Sequence, residues 1–274
     1  MIYSFSSLLG ALGTSKQGFH QRLGRLRNQV EQHAYLFQII SQIRSDHPTI
    51  SCRAMYYKIS PDGMGRDAFE RLCGEWGMKT QRSINYQRTT DSTGVTRFEN
   101  LTVNFKATKI NQLWSSDITY FEVGGRFYYL TFIMDNYSRR ILGHSVSGRL
   151  LTEQTTLPAL HQAIKTRGIK ELAGLIFHSD GGGQYYDKSF LALTLKYGIR
   201  NSMCEKAWEN GMAERLNGII KNNYLRHWKI TSYEDLVKHV DRAVLLYNNE
   251  RPHKALNFVS PFSYENQQLH LPIQ

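Results

Sequence analysis

Three acidic residues, Asp117, Asp180 and Glu214, occupy segments that could deliver carboxylates to one point. Asp117 lies in QLWSSDITYFEV, an apolar and β-branched run typical of a strand, and Asp180 ends the apolar run LAGLIFHSD just before three glycines. Glu214 sits in ENGMAERLNGIIKNNYL, a helical pattern. Carboxylates from a strand, a strand end and a helix suit phosphodiester transfer, which activates an attacking oxygen on one side of phosphorus and stabilises a leaving oxygen on the other. Two metal ions about 4 Å apart do both. Hard oxygen ligands select two Mg²⁺ or Mn²⁺ ions rather than zinc. Asp117 is expected to bridge the pair, with Asp180 completing one site and Glu214 the other. Strands disfavour Asp, which makes Asp117 hard to explain as a structural residue.

Neighbouring residues extend the candidate site. Asn217 and Lys221 follow Glu214 by three and seven residues, on the same helical face, and are expected to meet DNA, with Lys221 pointing at phosphate. Gly181 to Gly183 and Gln184 would let a DNA strand approach the backbone closely. His178 is expected beside the site as a structural or DNA-contacting group. It cannot form a hydrolase triad with Ser179 and Asp180, because adjacent strand residues point to opposite faces. Glu209, one turn before Glu214, is the alternative third ligand, without a Lys seven residues on.

The elements that must position these groups follow from pattern. QLWSSDITYFEV, a turn at Gly124-Gly125, RFYYLTFIMD, a turn over Asn136 to Arg139, and RILGHSVSG predict a three-stranded antiparallel meander. A helix over Thr152 to Thr166, strand LAGLIFHS, a helix over Asp187 to Tyr197, short strand IRNSM and the Glu214 helix continue it. A meander followed by alternating strand and helix is the order of an α/β, ribonuclease H-like core: a mixed five-stranded sheet with helices on both faces.

Ahead of it the pattern is helical. A short helix (Ser4 to Leu12), a turn at Gly13-Thr14 and a basic helix SKQGFHQRLGRLR resemble a small helix-turn-helix, with Arg22, Arg25 and Arg27 as candidate DNA contacts. A further helix is expected over Gln32 to Arg44. PTISCRAMYYKIS and GRDAFERLCGEWGMK then suggest a second such unit, with Phe69, Leu72, Cys73 and Trp76 on one face. The resulting division is a helical DNA-binding region at 1–79, a polar linker at 80–110, the catalytic core at 111–230, and a C-terminal helix and tail at 231–274.

Composition agrees with a polyanionic partner. Lys and Arg number 34 against 23 Asp and Glu, a net charge of +11. Residues 1–111 carry 15 basic and 8 acidic side chains and 112–230 carry 15 and 10, whereas 231–274 carry 4 and 5, so the excess lies in the front half and the core. Cys52, Cys73 and Cys204 are widely spaced and odd in number, which fits a reducing compartment and a cytoplasmic, nucleoid-associated protein. No apolar stretch approaches a membrane span, and the start lacks the basic region of a signal peptide. His20, His33, Cys52 and Cys73 lack the close pairs of a zinc module, so no structural zinc is expected.

Taken in order, QLWSSDITYF, DNYSR, FHSDGGGQYY, ENGMAE and LYNNERPH resemble the motif series of bacterial insertion-sequence transposases in the retroviral-integrase superfamily. The resemblance covers nearly the whole chain and places the family's catalytic triad on Asp117, Asp180 and Glu214. Between Asp180 and Glu214 stand 33 residues, slightly fewer than such transposases commonly have. The difference falls in SMCEKAWEN, a loop that can shorten while the next helix keeps its register. The resemblance implies a metal-dependent transposase that binds the terminal inverted repeats of its element. It would cleave and join strands in one site, as a dimer or larger assembly on DNA, through a circular copy-out intermediate. A catalytically decayed DNA-binding relative and a ribonuclease H-like nuclease without strand transfer are the competing readings; the intact triad counts against the first and the basic N-terminal helices against the second.

Overall fold

The computed structural model describes residues 4–80, 97–168 and 172–269, so most of the expected linker lies outside the described residues. The chain divides into two compact units, Met1–Asp46 and His47–Gln274. In the first, α1 (Phe5–Ala11) is capped by Ser4, whose hydroxyl accepts from Ser7 N. The chain turns at Gly13, which takes a left-handed φ of 62°. It then enters α2, a single 31-residue helix, Lys16–Asp46, in place of the two helices expected. Nothing between the basic segment and Gln32 can stop a helix, since Asn28, Gln29, Val30 and Glu31 include neither Pro nor Gly. Gly18 and Gly24 inside it each cost only about 1 kcal/mol relative to Ala. Phe5 packs edge-on to Phe19 at 5.4 Å, joining α1 to α2.

The second unit begins with α3 (Cys52–Ile59) and α4 (Arg66–Glu75), paired through buried Met55, Phe69, Leu72 and Cys73. Trp76, expected on that buried face, instead caps the end of α4 and is half-buried. Five strands follow: β1 (Leu113–Val123), β2 (Arg126–Asp135), β3 (Ile141–Ser147), β4 (Ile176–Ser179) and β5 (Arg200–Met203). Their spatial order is β3-β2-β1-β4-β5. The β1-β2 and β2-β3 pairs are antiparallel, and β1-β4 and β4-β5 are parallel. Thr152–Gln154 forms a separate 3₁₀ turn, so α5 (Thr156–Arg167) starts later than the apolar pattern suggests.

Alternation along the strands makes two cores. Helices α5 and α6 (Lys188–Lys196) cover one face, burying Trp114, Ile133, Leu160, Ala163, Phe177 and Phe190. Helix α7 (Gly211–Asn223) and α8 (Tyr233–Asn249) cover the other, with Leu130, Phe132, Ile220, Leu236, Val240 and Tyr247. Helix α8 therefore packs on the same sheet as the catalytic candidates, beyond residue 230. A last helix, α9 (Pro261–Leu269), sets Glu265 into a buried polar network. Arg167 donates to both Glu265 and Asp135, Arg140 donates to Glu265, and so does the Ser138 hydroxyl.

Candidate active site

Strand register brings two of the carboxylates together. β1 and β4 run parallel with Leu113, Trp114 and Ser115 beside Ile176, Phe177 and His178. Two residues past that last pair come Asp117, on β1, and Asp180, the first residue beyond the end of β4. The face of β1 that carries Asp117 is covered by α7. Asn217 donates from Nδ2 to Asp117 Oδ2 at 2.9 Å, and one turn on Lys221 donates from Nζ to Thr119 Oγ1 at 2.6 Å. The start of α7 is pinned by Asn210, whose amide donates to Ser116 O at 2.9 Å. On the opposite face of the sheet, Ser116 Oγ hydrogen-bonds Tyr185 OH at 2.9 Å and ties the strand to the loop after Asp180.

Electrostatics link all three carboxylates. Burial pushes Asp117 up to about 7, the charge of Asp180 pushes the same way, and Glu214 adds to it against the hydrogen bond from Asn217. Burial also raises Asp180, opposed by the Gly182 amide, which donates to Asp180 Oδ1. Glu214 itself is solvent-exposed. Among the described residues no three His, Cys, Asp or Glu side chains stand close enough to hold one ion as they are. The donor chemistry still fits a divalent cation: oxygen ligands of like charge, one of them raised by burial and by its neighbours, are what a cation would relieve.

Glu209 is occupied elsewhere. Its carboxylate accepts from the amides of Glu205 and Lys206 and from Asn100 Nδ2. Burial works against it, but those donors hold it below the usual carboxylate range. It caps the turn preceding α7.

The expected DNA contacts separate into groups. Lys221 lies half-buried at the site, its ammonium depressed by burial and by Arg226 against the attraction of Asp117. Gln184 is half-buried, and its Nε2 donates to Leu150 O at 3.2 Å. Two of the expected contacts are buried. Asn217 is 4% exposed, and its Nδ2 donates to Asp117 Oδ2. His178 is 2% exposed, and its Nδ1 pairs with Ser202 Oγ at 3.0 Å within the sheet. Burial lowers its pKa, so it packs as the neutral ring. Arg22, Arg25 and Arg27 are exposed on α2, in the separate N-terminal unit. Sequence reasoning assigns no role to Asn210, Thr119 or Tyr185. Asn210 stands in ENGMAE, where an Asn just ahead of a helix carrying a candidate ligand is the available signal.

Residues 107–207 match the family described as Integrase core domain, and residues 196–261 match a second model of the same description. The chain is 27% identical over 270 residues to an insertion element IS600 uncharacterized 31 kDa protein of Shigella sonnei, covering 93% of this chain and 96% of that one. It is 29% identical over 237 residues to a putative transposase for insertion sequence element IS986/IS6110 of Mycobacterium tuberculosis, covering 82% and 85%. Among solved structures it resembles a chain of the simian T-cell lymphotropic virus intasome in complex with PP2A regulatory subunit B56 gamma. That match has a TM-score of 0.52 and 16% identity over 86% of this chain and 77% of that one, a likeness of fold.

Proposed function

Since this chain belongs to the integrase-core family, in its bacterial insertion-sequence transposase branch, we propose that Asp117, Asp180 and Glu214 form one metal-dependent site that cuts DNA at the ends of a mobile element and joins the freed 3′-hydroxyl to another phosphodiester. The observation that carries this reading is the shared electrostatics of the three: Asp117 is raised by burial, by Asp180 and by Glu214, although the acids come from three separate segments. Asp117, Asp180 and Glu214 would hold two divalent ions, Mg²⁺ or Mn²⁺, which when bound would supply activation of the attacking oxygen and neutralisation of the leaving one. The chain's own groups do the positioning. Asn217 fixes the rotamer of Asp117, Asn210 seats α7 against β1, and Lys221 places a cation beside the carboxylates for substrate phosphate.

Arg22, Arg25 and Arg27 on α2 supply contacts to the terminal repeats, within a DNA-binding region over residues 1–79. Bringing two ends together calls for a dimer or larger assembly on DNA. The test is cleavage and joining of oligonucleotides carrying the element's ends. Mg²⁺ or Mn²⁺ should support both steps, and EDTA, Asp117→Asn and Asp180→Asn should each abolish both. Joining by Asp117→Asn at the wild-type rate would contradict the proposal.

A further inference from the structure

The end of the segment expected as a linker is bonded to the catalytic core. Asn100 turns the chain locally, its Oδ1 accepting from Thr102 N at 3.0 Å and from Thr102 Oγ1 at 2.7 Å. Those two donors settle which end of the amide faces away from the turn. Its Nδ2 donates to Glu209 Oε2 at 2.9 Å, the same oxygen that accepts from the amides of Glu205 and Lys206. Asn100 thereby closes the turn that leads into α7 and Glu214. Next in the chain, Leu101 N donates to Ser202 Oγ at 2.9 Å, and that buried hydroxyl pairs with His178, two residues ahead of Asp180. A third hold lies upstream. The Phe98 ring packs 5.7 Å from that of Tyr186 and the Arg97 guanidinium stands 4.9 Å from the same ring, just past the glycines that follow Asp180. The Tyr186 hydroxyl donates to Met203 Sδ on β5 at 2.7 Å.

Residues 97–102 therefore touch both segments that bring a carboxylate to Asp117: the loop after Asp180 and the turn before Glu214. Loops sample many conformations unless something outside them fixes one, whereas ligands must be held within roughly 0.5 Å of their working geometry. The turn before α7 is gripped from two sides. Asn210 donates to Ser116 O, beside Asp117, and Glu209 accepts from Asn100. We propose that residues 97–102 are a strap belonging to the catalytic machinery, and that Asn100 is a positioning residue which, through Glu209, sets where α7 presents Glu214. This rests on the metal-dependent site proposed above. It adds that the site depends on a segment ahead of residue 107, where the match to the integrase core begins.

The test uses the full-length protein carrying Asn100→Asp, which keeps an acceptor for Thr102 but sets a like charge against Glu209 in place of the donor. Asn100→Ser, whose hydroxyl still serves the turn but is too short for Glu209, is the second variant. Both are first shown to be folded by thermal melting. Without metal or DNA, trypsin should cut after the exposed Lys206 about tenfold faster in each variant than in wild type. The Mg²⁺ concentration for half-maximal strand joining should also rise about tenfold, while the rate at saturating Mg²⁺ falls less. Adding Glu209→Gln to Asn100→Asp relieves the repulsion and should move both readings back toward wild type. Unchanged cutting at Lys206 in the folded variants would overturn the strap. Faster cutting with an unchanged Mg²⁺ requirement would overturn the positioning role, leaving only loop packing. The proteolysis needs no catalysis, so the two proposals fail separately. Wild type that joins no strands at any Mg²⁺ concentration contradicts the activity, and with it the positioning role, whereas the cutting pattern still decides the strap.

Discussion

Asp117 shows what a single residue reports about the site. Its acid is raised to about 7, chiefly by burial and then by Asp180, so the metal-free folded protein keeps a proton that the unfolded chain releases near pH 4. The sign follows from linkage: folded protein binds more protons, so stability falls as pH rises from about 4 through 7. Asp117→Asn should remove that cost. At pH 8 without metal it should be more stable than wild type by on the order of 1–2 kcal/mol, with the curves converging near pH 4, in urea melts at several pH values. Mg²⁺ binding should weaken below pH 7 as the proton competes for the same carboxylate. Sequence context exposes Asp117 and Asp180 because strand patterns disfavour carboxylates. It leaves Glu214 and Glu209 undecided, since both lie near the start of a helix and one helical turn looks like another. Glu209 differs in its hydrogen bonds, two accepted from the nearby amides of Glu205 and Lys206 in a capping box and one from Asn100 across the fold, and only the last is beyond what spacing encodes.

At the scale of elements, the strands and their order are legible because each carries a clear alternation and the hairpins turn at glycine or at DNYSR. The edge of the sheet is not. Strand β3 has an open side, and side chains cap it: Asn248 bonds both Ile141 N and Ile141 O, Gln162 accepts from His144 N, and Tyr233 donates to Val146 O. Such caps keep an edge from pairing with another chain. They also give YNNERPH a structural role in Asn248. Gly143 is a tighter constraint, since a Cβ there would meet Ala159 O at 2.0 Å and Ala163 N at 2.7 Å. Gly143→Ala should therefore force α5 off the sheet and cost about 3 kcal/mol or more in thermal or urea unfolding. The network of Asp135, Arg140, Arg167 and Glu265 makes a parallel case. Removing one partner leaves a buried charge, so Arg167→Met should cost about 3–5 kcal/mol by the same measurement. Glu265 is invisible in sequence because a glutamate in SPFSYENQQL reads as a solvated helix face.

For the whole molecule, the net charge by itself points to a polyanion, and its concentration ahead of residue 231 agrees with where the basic helices and the carboxylate site lie. The long helix α2 reads as two in sequence because its basic and apolar stretches differ in character, although nothing between them ends a helix. Among the described residues no helix is long and apolar enough to cross a membrane. If Arg22, Arg25 and Arg27 meet phosphate, replacing all three by Ala should weaken DNA binding. The slope of log K against log salt should also fall by roughly 2–3, measured by anisotropy titrations across salt concentrations. The catalytic centre should be unaffected, so joining at saturating protein should persist.

The central claim, that three carboxylates from three segments act as one site, is most exposed at its third member. The direct measurement is the single-turnover rate of strand joining in Mg²⁺ for Glu214→Gln beside Glu209→Gln, with both proteins shown to be folded. Glu214→Gln should lose at least about 100-fold in rate, whereas Glu209→Gln, which disturbs only a cap, should stay near wild type. A Glu214→Gln protein that joins strands normally would contradict the account.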